Sequence, residues 1–195
     1  MPSCGSRASD AGAPYIAPFT GAEFLRIAGK PANVVNVRAS YFQETAEIIT
    51  RLKEDLDVTR VGVLYQDDSF GRTGLEGVRR GLDAHELELV AEADYPRNTT
   101  SVKVPLLDLR RFKPEAIVII GAYKPAATFI RWAHRINFNP YFVTISFVNS
   151  SALAQEAWAG LRGSLYYTGS ATSKRFGYSG GRRLSKSTVS DISRQ

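Results

Sequence analysis

From Pro14 to Thr168 the chain alternates short apolar runs with segments whose apolar positions recur at helical spacing. "PYIAPF" (14–19) and "VVNVR" (34–38) read as buried strands. "SYFQETAEIITRLKEDLD" follows from Ser40, with Phe42, Ala46, Ile49, Leu52 and Leu56 three or four residues apart. That spacing predicts an amphipathic helix of about four turns. Ser40 and Gln43 have capping-box spacing at its start. The same alternation then gives strands over 60–65, 87–95, 115–120, 141–148 and 164–168. Between them it predicts helices over 70–85, 102–112, 125–136 and 151–160. Leu75, Val78 and Leu82 share one face of the first of these, and Phe129, Ile130 and Ala133 one face of the third. Pro105 fits the second only in its first turn, because a deeper proline costs about 3 kcal/mol. Strands alternating with helices of this length predict βαβ crossovers, so the fold class is α/β, a parallel sheet with helices on both faces.

Composition adds exclusions. A hydrophobic share of 44% supports a buried core. The net charge of +6 invites a polyanion-binding role, but it sits at one end of the chain. From Gly169 to Gln195 six basic residues face the single acid Asp191, leaving the rest of the chain near neutrality. No nucleic-acid partner is therefore expected. That serine-, arginine- and glycine-rich tail is expected to be disordered, since it cannot bury enough surface to offset its ordering entropy. Cys4 is the only cysteine, and His85 and His134 are far apart, which argues against a disulfide framework and a zinc site. No run approaches the roughly twenty apolar residues of a bilayer span, so direct membrane insertion is not expected. The start, "MPSCGSRASDAGAP", lacks the apolar core of a secretory signal, so the chain as written carries no export address.

Three stretches carry candidate chemistry. "VGVLYQDDSFGRTGLEGVRRGL" brings a strand to Asp67, Asp68 and then to Gly71, Gly74 and Gly77. A dinucleotide loop needs its glycines directly after the strand. Two carboxylates there would repel a phosphate, so the glycines point to close helix packing and Asp68 or Ser69 to a cap. "PFTGAEFLR" places Thr20 and Glu23 at capping-box spacing. The same geometry offers the amides of Gly21 and Ala22 and the Thr20 hydroxyl to a carboxylate, and both readings stand. Tyr123, Phe70, Ser146 and Phe147 each follow a predicted strand, at the carboxyl ends where open α/β sheets bind ligands. No nucleophile elbow, P-loop, H-E-x-x-H or Cys/His pairing is present, so no enzyme and no cofactor are expected.

Taken in order, "PYIAPFTGAEFLR", "VVNVRASYFQETAEII", "VGVLYQDDSFG", "AIVIIGAYKPAATFIRWA" and "TISFVNSSALA" resemble the type I periplasmic binding proteins. The resemblance is to the leucine/isoleucine/valine-type substrate-binding components of ABC transporters. It implies a two-lobed periplasmic protein that grips a small-molecule carboxylate between its lobes and delivers it to the membrane permease of an ABC transporter. By position it carries first-lobe ligand contacts to Phe19, Thr20, Gly21 and Ala22 and second-lobe contacts to Phe70, Tyr123, Ser146 and Phe147. The family's amino-acid binders place an acid at the loop matching Ser146 and Phe147, and this loop has none. That leaves an aromatic or other small carboxylate as plausible as a branched-chain amino acid. The resemblance further implies truncation at both ends: a disordered stretch 1–13, a remnant of lobe one over 14–58, lobe two over 59–168 and the basic tail 169–195. Edges of 14–57 would then stand uncovered, while lobe two could fold alone. A ligand-sensing receptor domain of the same fold and a non-functional gene fragment are the alternatives.

Overall fold

The computed structural model describes residues 4–26, 33–148, 152–153, 156 and 166–168. The expected basic tail 169–195 lies outside the described residues. The elements are α1 (Cys4–Asp10), β1 (Tyr15–Ile16), β2 (Val34–Val35), α2 (Tyr41–Glu54), β3 (Arg60–Asp67), α3 (Ser69–Ala84), β4 (Glu88–Pro96), α4 (Lys103–Arg111), β5 (Ala116–Ile120), α5 (Tyr123–Arg135), β6 (Tyr141–Thr144) and β7 (Tyr166–Thr168). A 3-10 turn, Glu23–Leu25, lies between β1 and β2. Of the short helix expected over 151–160, the described residues 152, 153 and 156 are helical.

β1 and β2 form a small parallel sheet, and a separate five-stranded parallel sheet has the order β4-β3-β5-β6-β7. β3 and β5 are adjacent, and the chain leaves them in opposite directions across the sheet, so a crevice opens beyond their carboxyl ends. Every residue of β5 is buried, the apolar continuity expected of a strand covered on both faces. Side chains alternate between two cores. Val61, Val63, Val118 and Ile120 pack with α2 and α3, whereas Leu64, Ile117, Ile119 and Phe142 pack with α4 and α5. Pro105 falls in the first turn of α4, as its chemistry requires.

Helix α2 forms where expected. Ser40 accepts from the Gln43 amide and the Gln43 side chain accepts from the Ser40 amide, a complete capping box. Its buried face differs from the expected set. Tyr41, Glu44, Thr45, Ile48, Ile49 and Leu52 point inward, Phe42 is half-buried and Ala46 is exposed. The cause is α3, whose glycines let the two helices approach closely. A Cβ on Gly77 would lie 2.4 Å from the Thr45 hydroxyl, and one on Gly81 3.1 Å from Ile49. On the sheet side, one on Gly74 would lie 2.6 Å from Ile120. Packing therefore explains the glycine spacing. Asp68 caps α3 by accepting from the Gly71 amide at 2.9 Å.

Three other expectations need correction. Residues 4–10, within the stretch expected to be disordered, form α1. The strands at 15–16 and 34–35 are short, and Ile16, Val35 and Val37 are exposed rather than buried, because two residues from each strand make too small a sheet to cover both of its faces. Helix α2, expected in the remnant of lobe one, lies in the core of the five-stranded sheet, because its apolar face meets Val61, Val63 and Val78.

Gly77→Val should lower stability by about 1–3 kcal/mol through overpacking against Thr45 and Phe42, read as a lower urea midpoint with unchanged slope. A second expectation concerns pH. The Glu115 carboxylate accepts from the Thr59 amide (2.8 Å), the Thr59 hydroxyl (3.1 Å) and the Arg60 amide (3.1 Å). These bonds, the Thr59 amide foremost, hold its pKa below the ordinary 4.5. A depressed carboxylate contributes stability above its unfolded value and loses it as pH falls through the folded one. Glu115→Gln should thus flatten the decline in stability below about pH 4.5, measured as urea midpoint against pH.

Candidate functional site

The expected site residues come from three places in the chain. Phe19 to Ala22 follow β1, Phe70 opens α3 after β3, and Ser146 and Phe147 follow β6. Tyr41, at the first turn of α2, joins the first two groups. Its amide donates to the Gly21 carbonyl at 2.9 Å, and its hydroxyl lies 3.0 Å from the Thr20 hydroxyl. The Phe70 ring meets the Tyr41 ring edge-on at 5.2 Å. Glycine suits this close approach, since a Cβ at Gly21 would lie 3.0 Å from both the Tyr41 ring and the Ala39 carbonyl oxygen.

Phe147 completes a chain of rings, 4.9 Å from Phe70 and 5.3 Å from Phe19. Phe19 nonetheless remains 66% exposed, so this row of aromatics opens to solvent at one end. The Arg38 guanidinium stands 5.1 Å over the Phe19 ring and donates to the Phe19 carbonyl at 2.6 Å. A second guanidinium nitrogen donates to the Ser146 hydroxyl. The Ser146 hydroxyl in turn donates to a Glu44 carboxylate oxygen at 2.9 Å, and the Ser146 amide donates to the other oxygen. A cation from the segment after β2 and a carboxylate from α2 thus meet on one serine beside an aromatic wall. Glu44 is only 8% exposed, so the bonds from Ser146 replace much of the hydration its charge has lost.

The structure brings together Phe19, Thr20, Gly21, Phe70, Ser146 and Phe147. Ala22 packs at the edge of the core that Phe70 and Phe147 also border. Tyr123 does stand at the carboxyl end of β5, but its ring packs with the α4 and α5 core, away from the other aromatics. The expected capping box of Thr20 and Glu23 is absent. Thr20 accepts from the Ala22 amide at 3.2 Å, and the Glu23 carboxylate accepts from the Phe42 amide at 2.9 Å, so it serves the start of α2. The segment after Ala22 is a three-residue 3-10 turn with no side-chain cap, too short to present a helix dipole to an anion.

Sequence reasoning missed Arg38, Tyr41 and Glu44. The signal for Glu44 was present: an acid three residues after Tyr41 and four before Ile48 lies on the apolar face of α2. A buried carboxylate must find donors, and the loop after β6 supplies them.

No helix among the described residues is long and apolar enough to cross a membrane. Residues 5–177 match the family described as "Periplasmic binding protein". Among solved structures, the chain is 33% identical to a substrate-binding periplasmic protein from Ralstonia solanacearum, with a TM-score of 0.72, covering 82% of this chain and 44% of that one. It is 33% identical to a possible leucine/isoleucine/valine-binding protein from Rhodopirellula baltica SH 1, with a TM-score of 0.70, covering 78% and 42%. At 16% identity a branched-chain amino acid ABC transporter protein from Thermus thermophilus, solved with bound valine, shares the fold alone, with a TM-score of 0.72, covering 83% and 42%. The chain thus spans less than half the length of each.

Removing the Glu44 acceptor should expose the dependence of the β6 loop on α2. Glu44→Ala should cost about 1–3 kcal/mol in a urea titration, because the Ser146 amide loses its partner. Glu44→Gln, which retains one acceptor oxygen, should cost less.

Proposed function

The chain belongs to the periplasmic binding protein family, a family of substrate-binding proteins rather than enzymes, and from that premise we propose that it serves as the substrate-binding component of an ABC importer. Its ligand is an amino-acid-like or aromatic carboxylate, taken up beside Phe19, Phe70 and Phe147 and passed to a membrane permease. The observation that carries this reading is the meeting of Arg38 and Glu44 on Ser146 next to those rings. Arg38 offers the cation a ligand carboxylate needs, and the rings offer area for an apolar or aromatic side chain. The loop at Ser146 and Phe147 has no acid of its own, but the Glu44 carboxylate is anchored on it and supports an ammonium as well. A zwitterionic amino acid therefore fits this chemistry better than a simple aromatic acid.

Phe19 extends from the segment after β1, whereas Phe70 and Phe147 stand on the five-stranded sheet. A ligand gripping both would favour the arrangement in which they approach, which is hinge closure driven by its contacts, with no bond made or broken.

The test is a thermal-shift and calorimetric titration of the purified chain with valine, leucine, phenylalanine, benzoate and succinate. One class should raise the melting temperature, by the equivalent of about 2.7 kcal/mol at a hundredfold excess over Kd. Arg38→Met should abolish the shift for carboxylates while the variant still melts cooperatively. A cooperative melt that no candidate shifts would sink the proposal.

A further inference from the structure

The outer side of α4 is a prominent surface that neither the core nor the proposed ligand site uses. Pro105, Leu106 and Leu109 occupy its inner side. At helical spacing the outward side then presents Val104, Leu107 and Arg111 along one stripe. Val104 is 68% exposed and Leu107 54%, and Phe112 at the C-cap is 52% exposed. A helix apolar on both sides leaves one of them against water, the mark of a surface that meets something else.

Cations surround the stripe. Lys103, Arg110, Arg111 and Lys113 lie on the same segment and are exposed, and Arg135 joins them from α5. Lys103 and Arg135 stand 4.2 and 4.9 Å from the centroid of the Trp132 ring. On other surfaces Arg72, Arg79, Arg80 and Arg97 pair with carboxylates. Among the described residues none of these five cations forms an ion pair, and Asp108 is the one acid on α4. The patch therefore keeps a net positive charge and calls for an anionic partner. Residues 169–195 carry six basic side chains against one acid, so the chain's own end is of the wrong sign to cover it. A second copy placed face to face would set like charges together.

We propose that this face of α4, with Trp132 and Arg135, docks on an anionic lipid bilayer. Apolar side chains set among long cationic ones suit the boundary between acyl chains and headgroups, where the stems stay in apolar surroundings and the charges reach outward. Trp132 beneath two cations has the amphipathic character favoured at that depth. Cations with no fixed carboxylate suit a fluid layer of charge better than the defined positions of an acidic protein face. The contact is peripheral and goes beyond the ligand reading, on which it does not depend.

The test is co-sedimentation of the whole chain with vesicles of phosphatidylcholine, alone or mixed with phosphatidylglycerol. Binding is expected to the mixed vesicles only, and to weaken with salt. Arg110→Glu with Arg111→Glu should reduce affinity about tenfold or more, since each cation near an anionic surface is worth roughly fivefold. Val104→Ser with Leu107→Ser should also reduce it, while leaving its salt dependence unchanged. Lys53→Glu with Arg72→Glu, an equal change in net charge on α2 and α3, should leave binding intact. All these side chains lie on the surface, and circular dichroism checks each fold. No binding to mixed vesicles, or equal loss from the remote pair, would overturn the proposal. So would full displacement by soluble poly-glutamate with no effect of the serine pair, which would assign the face to an acidic protein.

Discussion

Helix α2 can reach the face of the β3–β5 sheet only because α3 presents hydrogen atoms where other residues would carry side chains. Gly74 faces Ile120 of the sheet, while Gly77 and Gly81 face Thr45 and Ile49 of α2. With α2 drawn in, Ile48, Ile49 and Leu52 close the core over Val61 and Val63. The same approach sets the height and rotation of its first turn. Tyr41 is thereby placed between Gly21 and Phe70, and Glu44 beneath the loop after β6. A bulkier α3 would displace the carboxylate and the aromatic hub together, so the packing of two helices governs the chemistry beside them.

That chemistry rests on one serine. Ser146 donates through both its amide and its hydroxyl to Glu44, and its hydroxyl accepts from Arg38. Neither charged group is neutralised directly by the other. The hydroxyl relays between them, so each keeps capacity for a further partner. The rings of Phe70 and Phe147 limit water on one side, and the exposed ring of Phe19 leaves an approach on the other. Placement at the carboxyl ends of β3 and β6, beside the point where the strand order reverses, is where this class of sheet holds its ligands.

Charge and burial divide the molecule into two faces of different character. The α2 and α3 side carries arginines matched by acids, as with Arg51 to Glu47 and Arg80 to Glu76. Such pairs add little stability but leave a balanced surface. On the α4 side Lys103, Arg110, Arg111, Lys113 and Arg135 form no ion pair among the described residues and surround an apolar stripe, although both sides bury a core against the same sheet. Core packing alone does not demand that asymmetry.

The alternation of period-two and helical segments determined the class of fold, the parallel sheet and the capping of α2 and α3, because these depend on neighbours within a few residues. The family resemblance was legible for the same reason, as its motifs are contiguous. Spacing likewise showed that the glycines of α3 serve packing rather than a phosphate. It could not show which side of α2 would face inward. Phe42 and Ala46 fit an apolar stripe as well as Tyr41 and Ile48 do, and the choice fell to the contour of α3. Nor could it show that Thr20 and Glu23 would turn to Tyr41 and Phe42 instead of capping their own segment. Tyr123 and Phe70 follow strands in the same way, yet neighbouring helices direct them to opposite faces of the sheet. The meeting of Arg38, Glu44 and Ser146 joins positions more than a hundred residues apart. Only tertiary structure could decide it, because a buried charge selects its partners by proximity in space, to which order along the chain is blind.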